Sequence, residues 1–205
     1  MMNWLVEIDK KVFLYLNGKH SPLWDDIMFW ISAKTSWIPL YLILLIIIIY
    51  RERPYKFIYT VLFVALVVLL CDQISVFIKD TVGRYRPTHD PEISHLVHIV
   101  NNRRGGQFGF VSSHAANTFG AAAFLANWFK NYKWELFLFG WAAIVSYSRI
   151  YLGFHYPFDI ICGALLGILI GTQCYVYKVR TMVYIERKIE DRRNKKMAKQ
   201  IPNNS

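Results

Sequence analysis

Two histidines and an aspartate in this sequence have the residue types that phosphoryl transfer requires. His155 and Asp159 are four residues apart, so at the start of a helix the carboxylate lies close to one nitrogen of the imidazole ring. The other ring nitrogen is then free to attack phosphorus. His114 supplies a second imidazole, which can protonate a departing oxygen. A single histidine near a membrane surface is more often a structural hydrogen-bonding group, so this interpretation depends on the neighbouring residues.

Positively charged side chains accompany these groups at the ends of apolar segments. Lys79, Arg86 and Arg149 place three positive charges close to hydrocarbon, which is costly unless an anion compensates them. Phosphate is the anion that best matches guanidinium groups. Ser112 and Ser113 precede a predicted helix, whose free N–H groups can bind an anion. Any one of these charged side chains alone is usually a snorkelling residue, but their combination predicts a phosphate site.

The elements that must position these residues are membrane-spanning helices. The chain has 205 residues, of which 55% are hydrophobic and 19% charged, below the roughly 25% charged residues of soluble domains. Five apolar segments approach the length of about 20 residues that a spanning helix needs. These segments are 36–50, 57–78, 113–129, 134–152 and 157–177. We therefore expect an all-α integral membrane helix bundle of about five spans, formed by residues 36–177 of a single domain covering residues 1–205.

The N-terminal residues are expected to lie beside this bundle. Residues 1–20 carry charged side chains within an apolar run and lack a small-residue cleavage site, which favours an amphipathic interfacial helix over a signal peptide. Residues 24–35 allow two interpretations. They either extend the first span or form a second helix on the surface.

Basic residues cluster in two predicted turns and in the C-terminal segment: Arg51, Arg53 and Lys56; Lys130 and Lys133; and the tail 178–205. Positive residues in short loops favour the cytoplasm, so we expect all three regions there. An alternating topology then brings the predicted phosphate site to the periplasmic or extracellular face. This arrangement explains the net charge of +10 more simply than nucleic-acid binding does.

The long polar loop 88–110 lies on the same predicted face as the phosphate site. Loops so placed often select substrate, and Arg103 and Arg104 are weak candidates for binding a second phosphate or an acidic headgroup. The loop histidines lack the spacing of a metal motif, and the three cysteines lie inside spans without a CxxC pair. We therefore expect neither a metal requirement nor another cofactor. The oligomeric state stays open.

Taken together, these residues resemble the three-part signature of the type-2 phosphatidic acid phosphatase superfamily, K-x6-R-P, P-S-G-H and S-R-x5-H-x3-D. The first part is complete in Lys79, Arg86 and Pro87. The third part is complete in Ser148, Arg149, His155 and Asp159. The middle part keeps Ser112 and His114, whereas Val111 and Ser113 replace the proline and the glycine. The resemblance covers roughly residues 57–177.

This resemblance implies a metal-free phosphatase acting on a membrane lipid. His155 would be the nucleophile that forms a phosphohistidine, Asp159 its orienting partner and His114 the general acid. The phosphate-binding residues would be Lys79, Arg86, Ser112, Ser113 through its amide, and Arg149. The compact size resembles bacterial members of the superfamily, which implies a bacterial inner or plasma membrane.

The resemblance leaves several substrates open. With the site on the outer face, we rank undecaprenyl diphosphate first, ahead of a lipid A phosphate, phosphatidylglycerol phosphate and phosphatidic acid. Vanadium haloperoxidases share the signature, but the apolar spans argue against such a soluble enzyme. A lipid-binding protein without catalysis is a further alternative, and the intact His114, His155 and Asp159 argue against it.

Overall fold

The computed structural model describes residues 2–198, and within this range the chain folds as seven α-helices. Their bounds are α1 (Met2–Asn17), α2 (Pro22–Ser32), α3 (Ile38–Arg51), α4 (Pro54–Val82), α5 (Ser113–Phe129), α6 (Tyr132–Tyr151) and α7 (Pro157–Ala198). Short 3-10 turns connect them at Lys34–Trp37, Pro87–His89 and Ser94–Leu96. The described residues contain one isolated bridge, between Tyr85 and Phe108, and no strand. The expected all-α fold is confirmed.

Among residues 2–198, three regions are long and apolar enough to cross a membrane, namely Lys34–Arg51, Pro54–Val82 and Pro157–Met197. Helix α5 contains many small and polar side chains, and it packs between α4, α6 and α7. Most of its side chains are buried against protein, so it does not need the apolar surface of a helix that faces lipid. The expected membrane helix bundle is confirmed, while the number of five spans stays a prediction.

Helices α5 and α7 approach so closely that no side chain fits between them at three places. A Cβ atom on Gly167 would lie 2.2 Å from the carbonyl oxygen of Ala116. On Gly171 it would lie 2.1 Å from the carbonyl oxygen of Gly120, and Gly163 is similarly close to Ser112. Small residues at four-residue intervals permit this backbone contact. The contact holds His114 at the start of α5 near the start of α7, which carries Asp159.

Helix α4 ends where the first group of charged residues begins. Gly83 has a left-handed backbone with φ of 62°, and its N–H donates to the carbonyl of Lys79 at 3.0 Å. A residue in this conformation is usually glycine and stops a helix. Lys79 therefore lies in the last turn of α4, and the chain turns from there into loop 88–110.

The N-terminal residues fold as two separate helices. The helix expected in residues 1–20 is present as α1, whereas its position at a membrane interface stays a prediction. Residues 24–35 do not extend the first span as one helix, because α2 ends at Ser32 and the 3-10 turn Lys34–Trp37 follows. Helix α2 packs against α6 instead. The separate helix is therefore present over Pro22–Ser32, whereas Lys34 and Thr35 belong to the region Lys34–Arg51 that could cross a membrane, and the surface position of α2 stays a prediction.

The C-terminal tail is more regular than expected. The span predicted for residues 157–177 continues far into the tail 178–205, because α7 extends as a helix to Ala198. Lysine, arginine and glutamate are good helix formers, so the charged sequence propagates the helix. Nζ of Lys56 in α4 also forms a salt bridge with Oε1 of Glu186 in α7 at 2.5 Å. Residues 199–205 lie outside the described range.

Candidate active site

His155 and Asp159 lie together where the turn after α6 enters α7. Both side chains are buried, and Nδ1 of His155 is 3.4 Å from Oδ2 of Asp159. The same oxygen accepts a hydrogen bond from the backbone N–H of Tyr156 at 3.0 Å. Because Nδ1 faces the carboxylate, Nε2 of His155 is the ring nitrogen left for a substrate. The predicted pairing of His155 with Asp159 is thus present in the structure.

The surroundings of His155 favour its neutral form. Burial, followed by the positive charges of Arg86, Arg149 and Lys79, holds the pKa of His155 well below its usual range. A hydrogen bond between the His155 ring and the backbone of Gly109 acts in the opposite direction and is the weaker influence on this pKa. A neutral imidazole keeps the lone pair that a nucleophile needs.

A pair of residues outside the predicted site supports Asp159 from its other side. Nη1 of Arg84 donates to Oδ1 of Asp159 at 2.8 Å, while Nη2 donates to Oδ2 of Asp9 at 2.7 Å. Oδ1 of Asp9 also accepts the backbone N–H of Phe158 at 2.9 Å. Sequence reasoning did not assign either residue to the site. The available signals were an acidic residue inside the apolar run of α1 and an arginine two positions before Arg86.

The N-terminus of α5 carries Ser112 and Ser113 into the site. Ser112 is buried and caps the helix, because its Oγ accepts the N–H of Ala115 at 3.4 Å. Its own N–H donates to the carbonyl of Asp159 at 3.1 Å, which ties α5 to the start of α7. The N–H groups of Ser113 and His114 have no acceptor inside the helix, as at any helix start. They are the amides that remain for an anion.

Ser113, which replaces the glycine of the family signature, contacts Lys79. Nζ of Lys79 donates to Oγ of Ser113 at 3.0 Å, and the hydroxyl of Ser75 lies 2.7 Å from the same oxygen. The serine side chain therefore provides a hydrogen-bonding position for the lysine between α4 and α5. A glycine at position 113 would leave Lys79 without this partner.

Arg86 lies on an extended segment that pairs with the end of loop 88–110. Its Nε donates to the carbonyl of Phe108 at 2.9 Å, and its backbone N–H donates to Gln107 at 2.9 Å. Gly109 completes the contact, because a Cβ atom there would be 3.1 Å from Asp159 and from the Arg86 side chain. The loop thus packs directly against the buried carboxylate.

Arg149, in the last turn of α6, has part of its guanidinium group bound by neighbouring residues and part available to a ligand. Nη1 donates to the hydroxyl of Ser32 in α2, and the guanidinium lies 4.3 Å from the ring centre of Phe154. Its Nε is buried and has no hydrogen-bond partner among the described residues. A buried donor without a partner is costly, and a bound anion would satisfy it.

His114 lines a cavity of about 400 Å³ that extends from the site along α3, α4, α5 and α6. Ser32 and Lys34 line the cavity as well. The remaining lining is mostly apolar and includes Leu44, Ile48, Val64, Val68 and Leu125. Leu125 is eleven residues beyond His114 on α5, so the cavity runs about 16 Å along the helix.

The two loop arginines predicted to select substrate lie at the surface. Both side chains are exposed, and the guanidinium of Arg103 lies 5.0 Å from the ring centre of Phe29 in α2. The carbonyl of Arg104 accepts the hydroxyl of Thr88 at 2.7 Å, which fixes the loop backbone. Neither contact joins these side chains to the histidines, so their predicted role stays a prediction.

Comparison with known proteins matches most of the chain to the family that its sequence motifs resemble. The profile of the PAP2 superfamily matches residues 58–182. A lipid A 4'-phosphatase of Bacteroides thetaiotaomicron is 42% identical over 170 residues, covering 82% of this chain and 75% of that protein. A lipid A 4'-phosphatase of Porphyromonas gingivalis is 37% identical over 179 residues, covering 87% and 75% respectively.

More distant relatives agree at the level of the fold. An undecaprenyl-diphosphatase of Sulfolobus acidocaldarius is 28% identical over 160 residues, covering 77% of this chain and 72% of that protein. The crystal structure of a PAP2-type phosphatidylglycerolphosphate phosphatase from Bacillus subtilis superposes with a TM-score of 0.66 at 21% identity. It covers 87% of this chain and 88% of the other.

Proposed function

Because this chain belongs to the PAP2 superfamily and is a membrane lipid phosphatase, we propose that it removes the 4′-phosphate of lipid A. Proteins of that name match this chain at 42% and 37% identity, each over about three quarters of their own length. Undecaprenyl diphosphate, ranked first on sequence alone, now ranks second, because two undecaprenyl-diphosphatases match this chain at 28% identity over 160 residues and at 36% over only 84 residues.

The observation that carries this proposal is the combination of a basic site around His155 with a mostly apolar cavity that reaches His114. Lys79, Arg86 and Arg149 act electrostatically on His155, and His114 lines the cavity that leads away from them. A ligand that fits both parts has an anionic phosphate joined closely to acyl chains. Lipid A has this form, since its sugar phosphates are adjacent to acylated positions.

In the proposed reaction, Nε2 of His155 attacks phosphorus and forms a P–N bond while the bond from phosphorus to the sugar oxygen breaks. His114 gives its proton to that departing oxygen. Water then attacks the phosphohistidine, transfers a proton to His114 and releases inorganic phosphate, which regenerates His155. Lys79, Arg86 and Arg149 stabilise the charge on the transferred group, with the amides of Ser113 and His114 beside them. Ser112 holds this helix start in place.

The test is a substrate comparison with purified protein in detergent. Lipid A bearing 1- and 4′-phosphates, undecaprenyl diphosphate and phosphatidylglycerol phosphate are offered separately, and products are identified by mass spectrometry. We expect loss of the 4′-phosphate only, with the highest kcat/KM of the three lipids. His155→Ala protein is the control for contaminating phosphatases.

A preference for undecaprenyl diphosphate by tenfold or more in kcat/KM would contradict the lipid A assignment and leave the lipid phosphatase class intact. Removal of the 1-phosphate in place of the 4′-phosphate would contradict the proposed position of hydrolysis on lipid A. Equal release from all three lipids would mean that the protein selects phosphate and not the lipid.

A further inference from the structure

Two neighbouring residues of the N-terminal region and one residue of loop 88–110 meet beside the site without taking part in it. They are His20 in the turn between α1 and α2, Asp25 in α2, and His98 in loop 88–110. One potential ligand atom of each lies within 4.8 Å of the other two. Nε2 of His98 is 2.9 and 3.1 Å from the two oxygens of Asp25. The rings of His20 and His98 are parallel, with their centres 3.6 Å apart.

Neighbouring residues hold the side chain of Asp25 and the backbone of His98 in position. The hydroxyl of Tyr151 donates to Oδ1 of Asp25 at 2.7 Å. The N–H of His98 donates to Asn17 at 2.8 Å, and the Asn17 amide donates back to the carbonyl of His98 at 3.2 Å. Asn17 is itself buried and bonded to the carbonyl of Tyr151 at 2.7 Å. Hydrogen bonds of this kind orient the ligands of metal sites.

We propose that His20, Asp25 and His98 bind a divalent transition-metal ion of the Zn²⁺ class. Two imidazole nitrogens with one carboxylate oxygen suit Zn²⁺, Co²⁺ and Ni²⁺, whereas Mg²⁺ and Ca²⁺ prefer sites made of oxygen. Bonds of about 2.0–2.1 Å in a tetrahedral site bring the ligand atoms about 3.4 Å apart. The stacked rings present their in-plane lone pairs side by side, so binding one ion requires the exposed His20 side chain to turn out of the stack and bring a ring nitrogen to that spacing.

The ion would connect the N-terminal helices to loop 88–110. The carbonyl of His98 lies 3.3 Å from the position that a Cβ atom on Gly153 would occupy, two residues before His155. Fixing His98 therefore also fixes the loop against the turn that carries the nucleophile. The ion acts on the stability of this loop and not in phosphoryl transfer, so the inference does not depend on the identity of the lipid.

The test is the binding of Co²⁺ and Zn²⁺ alone to the purified full-length chain without a histidine tag. We expect one Co²⁺ per chain, with the visible absorption of a four-coordinate site, and displacement by Zn²⁺. His20→Ala and His98→Ala should each lower the affinity at least about tenfold. His95→Ala is the matched control, because this exposed histidine lies on the same loop outside the cluster. It should bind Co²⁺ as the wild type does.

Asp25→Asn is the variant that separates metal binding from loss of structure. The amide oxygen can still accept the Tyr151 hydroxyl, but it lacks the charge that favours a cation, so affinity should fall while the melting temperature without metal changes little. Absence of saturable Co²⁺ binding to the wild type would overturn the proposal. Unchanged binding to His20→Ala would overturn it as well.

The role in loop stability has its own measurement. Arg103 and Arg104 are exposed in the loop and are trypsin sites, and cleavage there requires local opening. Zn²⁺ at about one hundred times its Kd should slow this cleavage at least about tenfold in the wild type and leave His20→Ala unaffected. An unchanged rate with Zn²⁺ bound would contradict the assigned role in the loop.

Discussion

At the scale of single residues, Arg84 joins two carboxylates that are each 75 positions away along the chain, Asp9 and Asp159. Its guanidinium also lies 4.2 Å from the ring centre of Tyr156. Asp159 is fully buried, and a buried carboxylate without a cationic partner is strongly unfavourable. The orientation of His155 therefore depends on an arginine that lies inside the variable part of the K-x6-R-P signature.

We predict that Arg84→Gln lowers kcat on the order of 10–100-fold while KM changes little. The reason is that Arg84 binds Asp159 and not the phosphate, so its loss misplaces His155 without removing a substrate contact. Steady-state kinetics measure the two constants, and Arg84→Lys should recover part of kcat. Arg187→Gln, exposed on the C-terminal part of α7, is the control for a lost surface charge. A rise in KM with unchanged kcat would assign Arg84 to substrate binding instead.

Replacement of His155 and replacement of His114 are predicted to lower turnover by different factors. His155→Ala should abolish turnover, by a factor on the order of 10⁶, because the site offers no substitute nucleophile. His114→Ala should cost about 10²–10⁴ on a monoester and less on a diphosphate, whose leaving group needs less protonation. Turnover of both lipid classes by each variant is the measurement. Equal losses on both classes would remove the general-acid role from His114.

The lowered pKa of His155 predicts how stability depends on pH. The unfolded chain binds a proton on this residue below its usual pKa of 6.5, whereas the buried ring stays neutral to lower pH. Below pH 6.5 the unfolded state therefore binds more protons, and folding loses stability as pH falls toward the folded-state pKa. His155→Gln lacks this loss, so the melting temperature of the wild type should fall relative to His155→Gln as pH decreases below 6.5. Parallel curves for the two proteins would contradict the neutral buried state.

The contacts within the site that the sequence predicted are those with a local pattern. His155 and Asp159 are one helical turn apart, and Ser112 precedes an apolar helix, so their spacing alone predicts contact or capping. The contact of Lys79 with Ser113 and that of Arg84 with Asp9 join separate helices. Such contacts depend on how the helices pack, and no periodicity in the sequence encodes them.

At the scale of helices, the contact between α5 and α7 sets the distance between the two halves of the site. Helix α5 carries His114 and α7 carries Asp159, and the carbonyl oxygens of Ala116 and Gly120 lie against the glycines of α7. Because this backbone contact is rigid, a side chain added there pushes the two helices apart and displaces their first turns.

We predict that Gly167→Ala lowers both the melting temperature and kcat. The new methyl group would lie 2.2 Å from the Ala116 oxygen, so the helices must separate, at a typical cost of about 1–3 kcal/mol for overpacking. Gly140→Ala in α6 is the matched control, since no atom lies within 4 Å of its Cβ position. That variant should be neutral or more stable by up to about 1 kcal/mol. Thermal unfolding in detergent and turnover are measured for both proteins.

The positions of the helices followed from the apolar runs to within a few residues, because a spanning segment needs a minimum apolar length. Segment 113–129 coincides with α5, and 134–152 differs from α6 by one or two residues at each end. The separation of α2 from α3 was left open, since the two regions form one nearly continuous apolar stretch. The sequence did not predict the continuation of α7 beyond residue 177. The apolar run ends where the helix leaves the membrane, whereas the charged residues that follow still favour a helix.

At the scale of the whole molecule, the basic turns and the tail are tied to one end of the bundle. Lys178 of α7 donates to Glu52, before α4, at 2.8 Å, and Lys56 pairs with Glu186 further along α7. The phosphate site lies at the other ends of these helices. Which end faces the cytoplasm stays a proposal that rests on the distribution of lysine and arginine.

We predict that the phosphate site faces the periplasm and the tail faces the cytoplasm. In a background lacking Cys71, Cys162 and Cys174, Gly106→Cys should react with a membrane-impermeant thiol reagent in intact spheroplasts. Position 106 is exposed and has no atom within 4 Å of its Cβ position, so the substitution is tolerated sterically. Lys195→Cys should react only after lysis. The reverse pattern would place the site in the cytoplasm.

The N-terminal helix has a consequence for where the functional unit of this protein begins. The superfamily profile starts at residue 58, yet Asp9 in α1 neutralises Arg84 and accepts the N–H of Phe158 at the start of α7. A fragment chosen to match the profile would retain every signature residue and lose this carboxylate. Domain boundaries drawn from motif similarity would therefore exclude a carboxylate that supports the candidate site, and a transplanted or truncated version of the matched region should be designed to include α1.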